Sequence, residues 1–333
     1  MSIINHALQD TKVLITGATG FIGARLAERL AVEEGALVTG TGRDLQKATH
    51  LQALGVQLVQ ADLLDTAVMQ QAIAGQEVVF HVAAWLRAHG DETQAYELNV
   101  TATETLLRLA AEAGVRRFVF VSSMNAYGPQ PHDLIDEDKP LNTELRDIYG
   151  KTKAIADQMV RRLGPELGIE VAVVRPGMVY GPGSMSWTLE MVKLLKKGLP
   201  VIFGDGKGYA APVYVDNLLD GMILTAVRPN AAGEAFNMFD PPVDWHTFFG
   251  FYGAMCGCKP RVIPYRVAQV LAWLSEHFRF LGLPLTRERL QFYTMKAVYP
   301  MTKAEDRLGY QQRVDIHEGM RRAEAWLREE GYL

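Results

Sequence analysis

Short, mainly apolar runs alternate through the first half of the chain with longer stretches in which apolar residues recur every three or four positions. The runs are Lys12-Val13-Leu14-Ile15-Thr16, Leu37 to Thr41, Val56 to Val59, Val78 to Val82, Phe118 to Val121 and Val171 to Val174. Between them, Phe21 to about Glu33 places Ile22, Leu26 and Leu30 on one helical face, and a second helix reaches about Leu54. A long helix is expected from Tyr96 to Ala113, and another carries Tyr149 ahead of the sixth run. Strands this apolar, alternating with helices, predict an α/β fold whose parallel sheet is covered on both faces.

The alternation weakens after about residue 182. Prolines at 200, 212, 229, 241, 242, 260 and 264 cut the chain into shorter pieces. Residues 1–182 are therefore expected to form the domain built on the sheet, and 183–333 mainly a smaller carboxyl-terminal lobe. Within the latter, 211–226 is expected to return to the sheet. The lobe would sit over the carboxyl edge of the sheet, where such folds bind ligands.

Composition narrows the class. Of 333 residues, 48% are hydrophobic and 22% charged, the balance of a globular protein, and the net charge of −4 gives no electrostatic case for nucleic acid. The two cysteines, Cys256 and Cys258, flank one glycine and have no second pair, so neither a zinc site nor a metal site of any kind is expected. Met1 to His6 lacks a signal-peptide pattern, and no uncharged apolar run approaches the ~20 residues that span a bilayer. A cytoplasmic protein is the expectation, with no transmembrane segment.

Two motifs carry chemistry. Thr16-Gly17-Ala18-Thr19-Gly20-Phe21-Ile22-Gly23 lies between the first strand and the first helix, the place of a dinucleotide cradle. There Gly17 permits the tight turn, Gly20 lets the backbone approach a pyrophosphate, and Gly23 lets helix and strand pack closely. Tyr149-Gly150-Lys151-Thr152-Lys153 puts a phenol and an ammonium four residues apart, on one helical face. The ammonium is expected to pull the phenol, ordinarily near pKa 10, towards the working range of a general acid. At the end of the second strand stands Arg43 rather than an acid, placed for the 2′-phosphate of NADP(H); NAD(H) stays possible. Asp62-Leu63 would flank the adenine, and Ala83-Ala84 would line the cofactor channel beside His81, which receives no chemical role. Asn99 is expected either to anchor a water or to kink its helix.

These residues resemble the extended short-chain dehydrogenase/reductase superfamily. Further matches are Asn99, Ser122-Ser123-x-x-x-Tyr127-Gly128, Arg175-Pro176-x-x-x-Tyr180-Gly181-Pro182 and Val213-Tyr214-Val215-Asp216-Asn217. The resemblance is close over 12–182, moderate over 200–226 and loose at the end, where Thr302-Lys303-Ala304 and Leu308-Gly309-Tyr310 resemble the 3β-hydroxysteroid dehydrogenase and dihydroflavonol reductase branch. It implies a Rossmann-type doubly wound sheet, a nicotinamide cofactor also touching Thr19, Phe21, Ile22, Pro176 and Val179, and a catalytic set of Ser123, Tyr149 and Lys153. It also implies a homodimer built on helices at about 96–113 and 149–163. Tyr127 is a rival phenol, but no lysine follows it by four residues.

Nucleotide-sugar epimerases and dehydratases share this scaffold. Such dehydratases follow the catalytic hydroxyl with Asp-Glu; here those positions are Met124 and Asn125. Such sugar enzymes also place an arginine where this chain has Gly208-Tyr209-Ala210-Ala211-Pro212. Both departures favour an oxidoreductase acting on an uncharged hydrophobic substrate, and the tyrosine–lysine pair argues against a non-catalytic NADP sensor. Trp85, Met124, Asn125, Met178, Met185, Trp187 and Tyr209 are candidate substrate contacts. From Pro264 to Leu285, Val267, Val270, Leu271, Leu274, Phe278 and Leu281 form an apolar stripe, with Trp273, Phe280 and Leu283 beside it. The plain reading packs this stripe on the lobe. The steroid-dehydrogenase resemblance suggests instead a substrate lid or a membrane-resting helix, and Glu276, His277 and Arg279 bar it from spanning one.

Overall fold

The computed structural model describes residues 6–87, 89–130, 133–278 and 285–333. Six strands follow the expected alternation: β1 (Lys12–Thr16), β2 (Leu37–Gly42), β3 (Gln57–Gln60), β4 (Val78–His81), β5 (Arg117–Val121) and β6 (Glu170–Pro176). A seventh, Ala235–Met238, pairs with β6, so the sheet runs Ala235–Met238, β6, β5, β4, β1, β2, β3, all parallel. This is the Rossmann-type doubly wound order. The chain steps outward from β1 to β3, then returns to lay β4 against the other side of β1, opening a crevice between their carboxyl ends.

The strands are apolar throughout because each face meets its own core. Phe118 and Phe120 of β5 point into one cluster, with Leu107 and Val160. Val119 and Val121 point into the other, with Leu26, Leu219 and Phe236. The helices differ in detail from the periodicity. Between β2 and β3 lie only a 3₁₀ turn, Leu45–Ala48, and one short helical turn, Thr49–Gln52; a helix at Thr66–Ile73 leads into β4. The long helix starts early, at Glu92–Tyr96, passes through a π-helical turn at Glu97–Thr101, and continues as Ala102–Glu112. Helix Ile148–Leu167 carries Tyr149 and ends on Gly168, whose φ of 70° is left-handed.

Beyond Pro182 the chain returns to the sheet through helix Val215–Val227, whose Thr225 carbonyl accepts from buried Arg117 (2.6 Å), and through strand Ala235–Met238. That return is longer than 211–226. Among the described residues the lobe is completed by three two-stranded pairs: Met178–Tyr180, just before Pro182, with Pro212–Tyr214, Tyr209–Ala210 with Val243–Asp244, and Pro200–Phe203 with Arg261–Ile263. Trp245 sits at its centre, 4.6 to 5.8 Å ring to ring from Tyr293, Phe249, Phe248 and Phe292.

Helix Tyr265–His277 does not pack as the plain reading expected. Ala268 and Ala272 face inward, while Val267, Val270 and Trp273 are exposed, as is Phe278 beyond the helix; Leu271 and Leu274 are half-buried. The small alanines allow close approach to the lobe, and that contact turns the larger residues outward. Arg279, Phe280, Leu281 and Leu283 lie outside the described residues. Among the described residues no helix is long and apolar enough to cross a membrane.

Candidate active site

The crevice between β1 and β4 brings the two predicted cofactor loops together, because Thr16 and His81 are register partners. Gly17 has φ of 74°, and a Cβ there would lie 2.9 Å from the Ala83 backbone. A Cβ on Gly23 would lie 2.2 Å from the Gly17 carbonyl oxygen, so glycine at 23 is what lets helix Phe21–Val32 approach the turn. Gly20 caps that helix without a side-chain hydrogen bond, and its first turn carries no acid. The helix therefore presents free N–H groups and the positive end of its dipole, the requirement for holding a pyrophosphate. The residues present fit a dinucleotide.

At the end of β2, a Cβ on Gly42 would strike the Thr19 side chain at 2.3 Å, so Thr19 closes the loop over that strand. The Arg43 side chain is exposed; its carbonyl accepts from the Gln60 amide (3.1 Å), and among the described residues no acid pairs with its guanidinium. Asp44 is engaged instead in capping the following turn, at Gln46 N (3.2 Å). Asp62 accepts from Leu64 N (3.0 Å), turning the chain after β3.

His81 is a structural pin. Thr103 Oγ1 donates to the Asn99 carbonyl (2.8 Å) and so accepts from His81 Nε2 (2.9 Å). This leaves Nδ1 to accept from Thr16 Oγ1 at 2.7 Å. Full burial, reinforced by the charge of Lys153, pushes the imidazole down to about pKa 3, so it stays neutral. Asn99 takes its structural role: Oδ1 accepts from Trp85 N (2.7 Å), while Nδ2 donates to Trp85 O (3.1 Å) and Thr152 Oγ1 (2.9 Å). It lies in the π-helical turn and ties the channel loop to the helix of Tyr149.

Of the predicted catalytic set, the structure brings Ser123 and Tyr149 together. Ser123 follows β5 on an extended residue, accepts from Asn125 N (3.2 Å), and its hydroxyl faces the Tyr149 phenol. The expected lowering of the phenol is corrected here. Burial pushes Tyr149 up to about 12, hydrogen bonding to Ser123 pulls back, and the charge of Asp147 pushes up again. Lys153 points its ammonium elsewhere: Nζ donates to the Val121 carbonyl (2.6 Å) and lies 4.6 Å from the centre of the Phe120 ring. Burial lowers Lys153 to about 7, opposed by Asp157. Tyr127 is engaged in the core, donating to Asn237 Oδ1 (2.8 Å) and accepting from Arg175 Nη1 (2.8 Å).

The glycine cradle, the Ser–Tyr–Lys set and the sheet order agree with a family model, NAD dependent epimerase/dehydratase family, that matches residues 13–238. The chain belongs to this family. It is an NAD(P)-dependent enzyme of the extended short-chain dehydrogenase/reductase type. It is 29% identical over 319 residues to a 4-hydroxy-2-methyl-3-oxo-4-farnesyl-3,4-dihydroquinoline-1-oxide ketoreductase of Stigmatella aurantiaca, covering 93% of this chain and 94% of that one. It is 30% identical over 325 residues to a 3 beta-hydroxysteroid dehydrogenase/Delta 5-->4-isomerase of Mycobacterium tuberculosis, covering 90% and 86%. A UDP-glucuronic acid 4-epimerase of Bacillus cereus, solved with UDP-glucuronic acid and NAD, shares the fold at a TM-score of 0.77 and 21% identity, covering 96% and 100%.

Within this epimerase/dehydratase scaffold the candidate substrate residues separate. Met124 and Met178 are buried in the main core, 4% and 2% exposed. Trp85, Trp187 and Tyr209 are half-buried, and Met185 and Asn125 are exposed. Pro176 ends β6, and the Val179 carbonyl accepts from Ser184 Oγ (3.0 Å) at the entry to a second π-helical turn, Met185–Leu189. Ala210 and Ala211 are buried, and no cation stands within the segment 208–212. Asp147 was missed. Its signal was present in the sequence, an acid two residues before Tyr149 where a helix cap belongs.

Proposed function

We propose that this enzyme interconverts a ketone and a secondary alcohol on an uncharged hydrophobic substrate, with NADP(H) favoured over NAD(H). The observation that carries the reading is the buried Tyr149 phenol facing Ser123, with Lys153 one turn further along the same helix. When bound, the nicotinamide supplies or accepts a hydride. Gly17, Thr19, Gly20, Phe21, Ile22 and Gly23 would hold the cofactor's pyrophosphate, Arg43 its 2′-phosphate, and Asp62, Leu63, Ala83, Ala84, Pro176 and Val179 would line its path. Ser123 would hydrogen-bond the carbonyl oxygen and fix its direction. Tyr149 would give that oxygen its proton and take it back in the reverse direction. Lys153, whose buried ammonium is lowered to about 7, would hold the ribose hydroxyls.

Support against sugar chemistry is local. Met124 is buried, and the Asn125 amide donates to Asp147, so neither protonates a leaving hydroxyl. The segment 208–212, where such sugar enzymes place an arginine, carries no cation for a diphosphate. Two copies would pair through helices Ala102–Glu112 and Ile148–Leu167, which sedimentation would read as twice the chain mass. The test of function is a panel of β-keto esters, steroid ketones and flavonoid-like ketones with NADPH or NADH, followed by cofactor absorbance. Net cofactor oxidation with an apolar ketone is expected. Interconversion of UDP-sugars without net cofactor consumption would overturn the reading.

A further inference from the structure

Asp147 occupies a position that the chemistry above does not use. It caps helix Ile148–Leu167, with Oδ1 accepting from Tyr149 N at 3.1 Å. Its other oxygen, Oδ2, accepts from Asn125 Nδ2 at 3.2 Å. Asn125 in turn donates its backbone N–H to Ser123 Oγ (3.2 Å), and the Ser123 hydroxyl faces the Tyr149 phenol. The contacts close a ring, from Ser123 through Asn125 and Asp147 to Tyr149 and back across the two hydroxyls. The packing inside it is tight: a Cβ on Gly150 would lie 2.7 Å from the Asn125 carbonyl oxygen and 3.0 Å from Asp147 Oδ2.

A serine, threonine or asparagine would cap the helix equally well. The cap alone therefore does not explain a carboxylate that reaches across to a loop 22 residues away in sequence. We infer that Asp147 is a positioning residue, whose carboxylate joins the loop carrying Ser123 to the helical turn carrying Tyr149 and so fixes the separation of the two hydroxyls that grip the substrate oxygen. A hydrogen-bonded pair of donors aimed at one oxygen tolerates little misplacement, so this separation controls turnover more than binding.

The same carboxylate acts on the phenol through charge. It raises Tyr149, against the lowering by Ser123. Burial raises Asp147 itself above the ordinary carboxylate range. The other titratable groups around it are His89 after β4, Glu288 on helix Arg287–Thr294, Arg146 beside it in sequence, and Lys153 one turn beyond Tyr149. None of them accepts from Tyr149 N or from Asn125.

The inference rests on Tyr149 as the proton carrier, so every measurement is paired with Tyr149→Phe. Phenolate absorbance, taken as the difference between each background and its Tyr149→Phe counterpart, isolates this tyrosine and needs no substrate. Asp147→Asn removes the charge with little change of shape, and the Tyr149 midpoint should fall by about one pH unit. Asn125→Ala leaves the cap intact, and Asp147→Ser keeps a cap but cannot reach Asn125. With a β-keto ester and NADPH, both should lower kcat about tenfold with KM and melting temperature near the wild type. Unchanged kcat in both, or an unmoved phenol midpoint in Asp147→Asn, would overturn the inference. Full turnover in Tyr149→Phe would overturn the functional reading instead. If the wild type ignores the ester, that substrate class falls, and the phenol midpoint still decides the role of Asp147.

Discussion

The sheet half of the molecule and the lobe beyond it are held together differently. In the sheet half, β1, β4, β5 and β6 are buried along nearly their whole length, and each strand pairs with a neighbour on both sides. In the lobe the paired strands are two to four residues long, and cohesion comes from aromatic rings around Trp245. The lobe also leaves Val267, Val270 and Trp273 exposed. Ladders of backbone hydrogen bonds fix positions closely, whereas side-chain clusters tolerate repacking. The difference teaches where each task lies. On the proposed function, cofactor and proton chemistry would occupy the part that holds its geometry, and substrate selection the part that can vary.

The largest expected effect tests the sheet half at its chemical centre. Tyr149→Phe should retain cofactor binding while kcat falls by roughly 10²-fold or more. A loss of both together would mean that the ring's packing, rather than its hydroxyl, matters there. Next is the cradle. Gly23→Ala puts a methyl 2.2 Å from the Gly17 carbonyl oxygen, so helix Phe21–Val32 must shift, and cofactor affinity should drop at least tenfold by fluorescence titration. A lobe glycine such as Gly250, whose added Cβ meets nothing within 4 Å, should accept alanine without loss, which sharpens the contrast.

Smaller, and confined to one contact, is Arg43→Ala. Loss of a charge-assisted bond of about 1.5–3 kcal/mol should erase a ten- to hundredfold preference for NADP over NAD in kcat/KM, with turnover on NAD unchanged. A wild type that prefers NAD would defeat that assignment outright.

The junction between the halves gives a pH effect. Asp240 follows the strand Ala235–Met238, is 4% exposed, and burial raises it to about 7 against the hydrogen bonds from Tyr214 N and Asn217. The folded state therefore keeps this proton to higher pH than the unfolded chain does. Its stabilising contribution is complete below the ordinary carboxylate value and is lost as pH rises through about 7. The melting temperature should be a few degrees higher at pH 5 than at pH 8, and Asp240→Asn should flatten that slope. The smallest effect belongs to the lobe surface. Trp273→Ala should raise KM for bulky ketones more than for small ones if helix Tyr265–His277 serves as a lid, and equal changes would remove it from substrate handling.

The parts of this molecule readable in advance were those with local causes. The glycine spacing after β1 is dictated by backbone approach within a few residues, and Tyr149 with Lys153 by one turn of helix. The strands announced themselves because both faces are buried. The readings that changed depended on distant partners. Lys153 was expected to depress the phenol, but the Val121 carbonyl from a neighbouring strand takes its ammonium. Asn99 had two readings until Trp85 and Thr152 were placed against it. The stripe from Val267 gave a period but no direction, because alanines on the opposite side were equally able to face the lobe.

Sequence alone determined the alternation of strand and helix, the glycine turn after β1 and the placing of Tyr149 and Lys153 one helical turn apart, since each follows from residues near one another along the chain. Tertiary structure alone decided what surrounds those side chains. It set the burial that raises Tyr149, the ring through Asn125 and Asp147, and the return of Ala235–Met238 to the sheet. Burial and electrostatic environment are sums over neighbours in space, and the chain brings those neighbours together only when it folds.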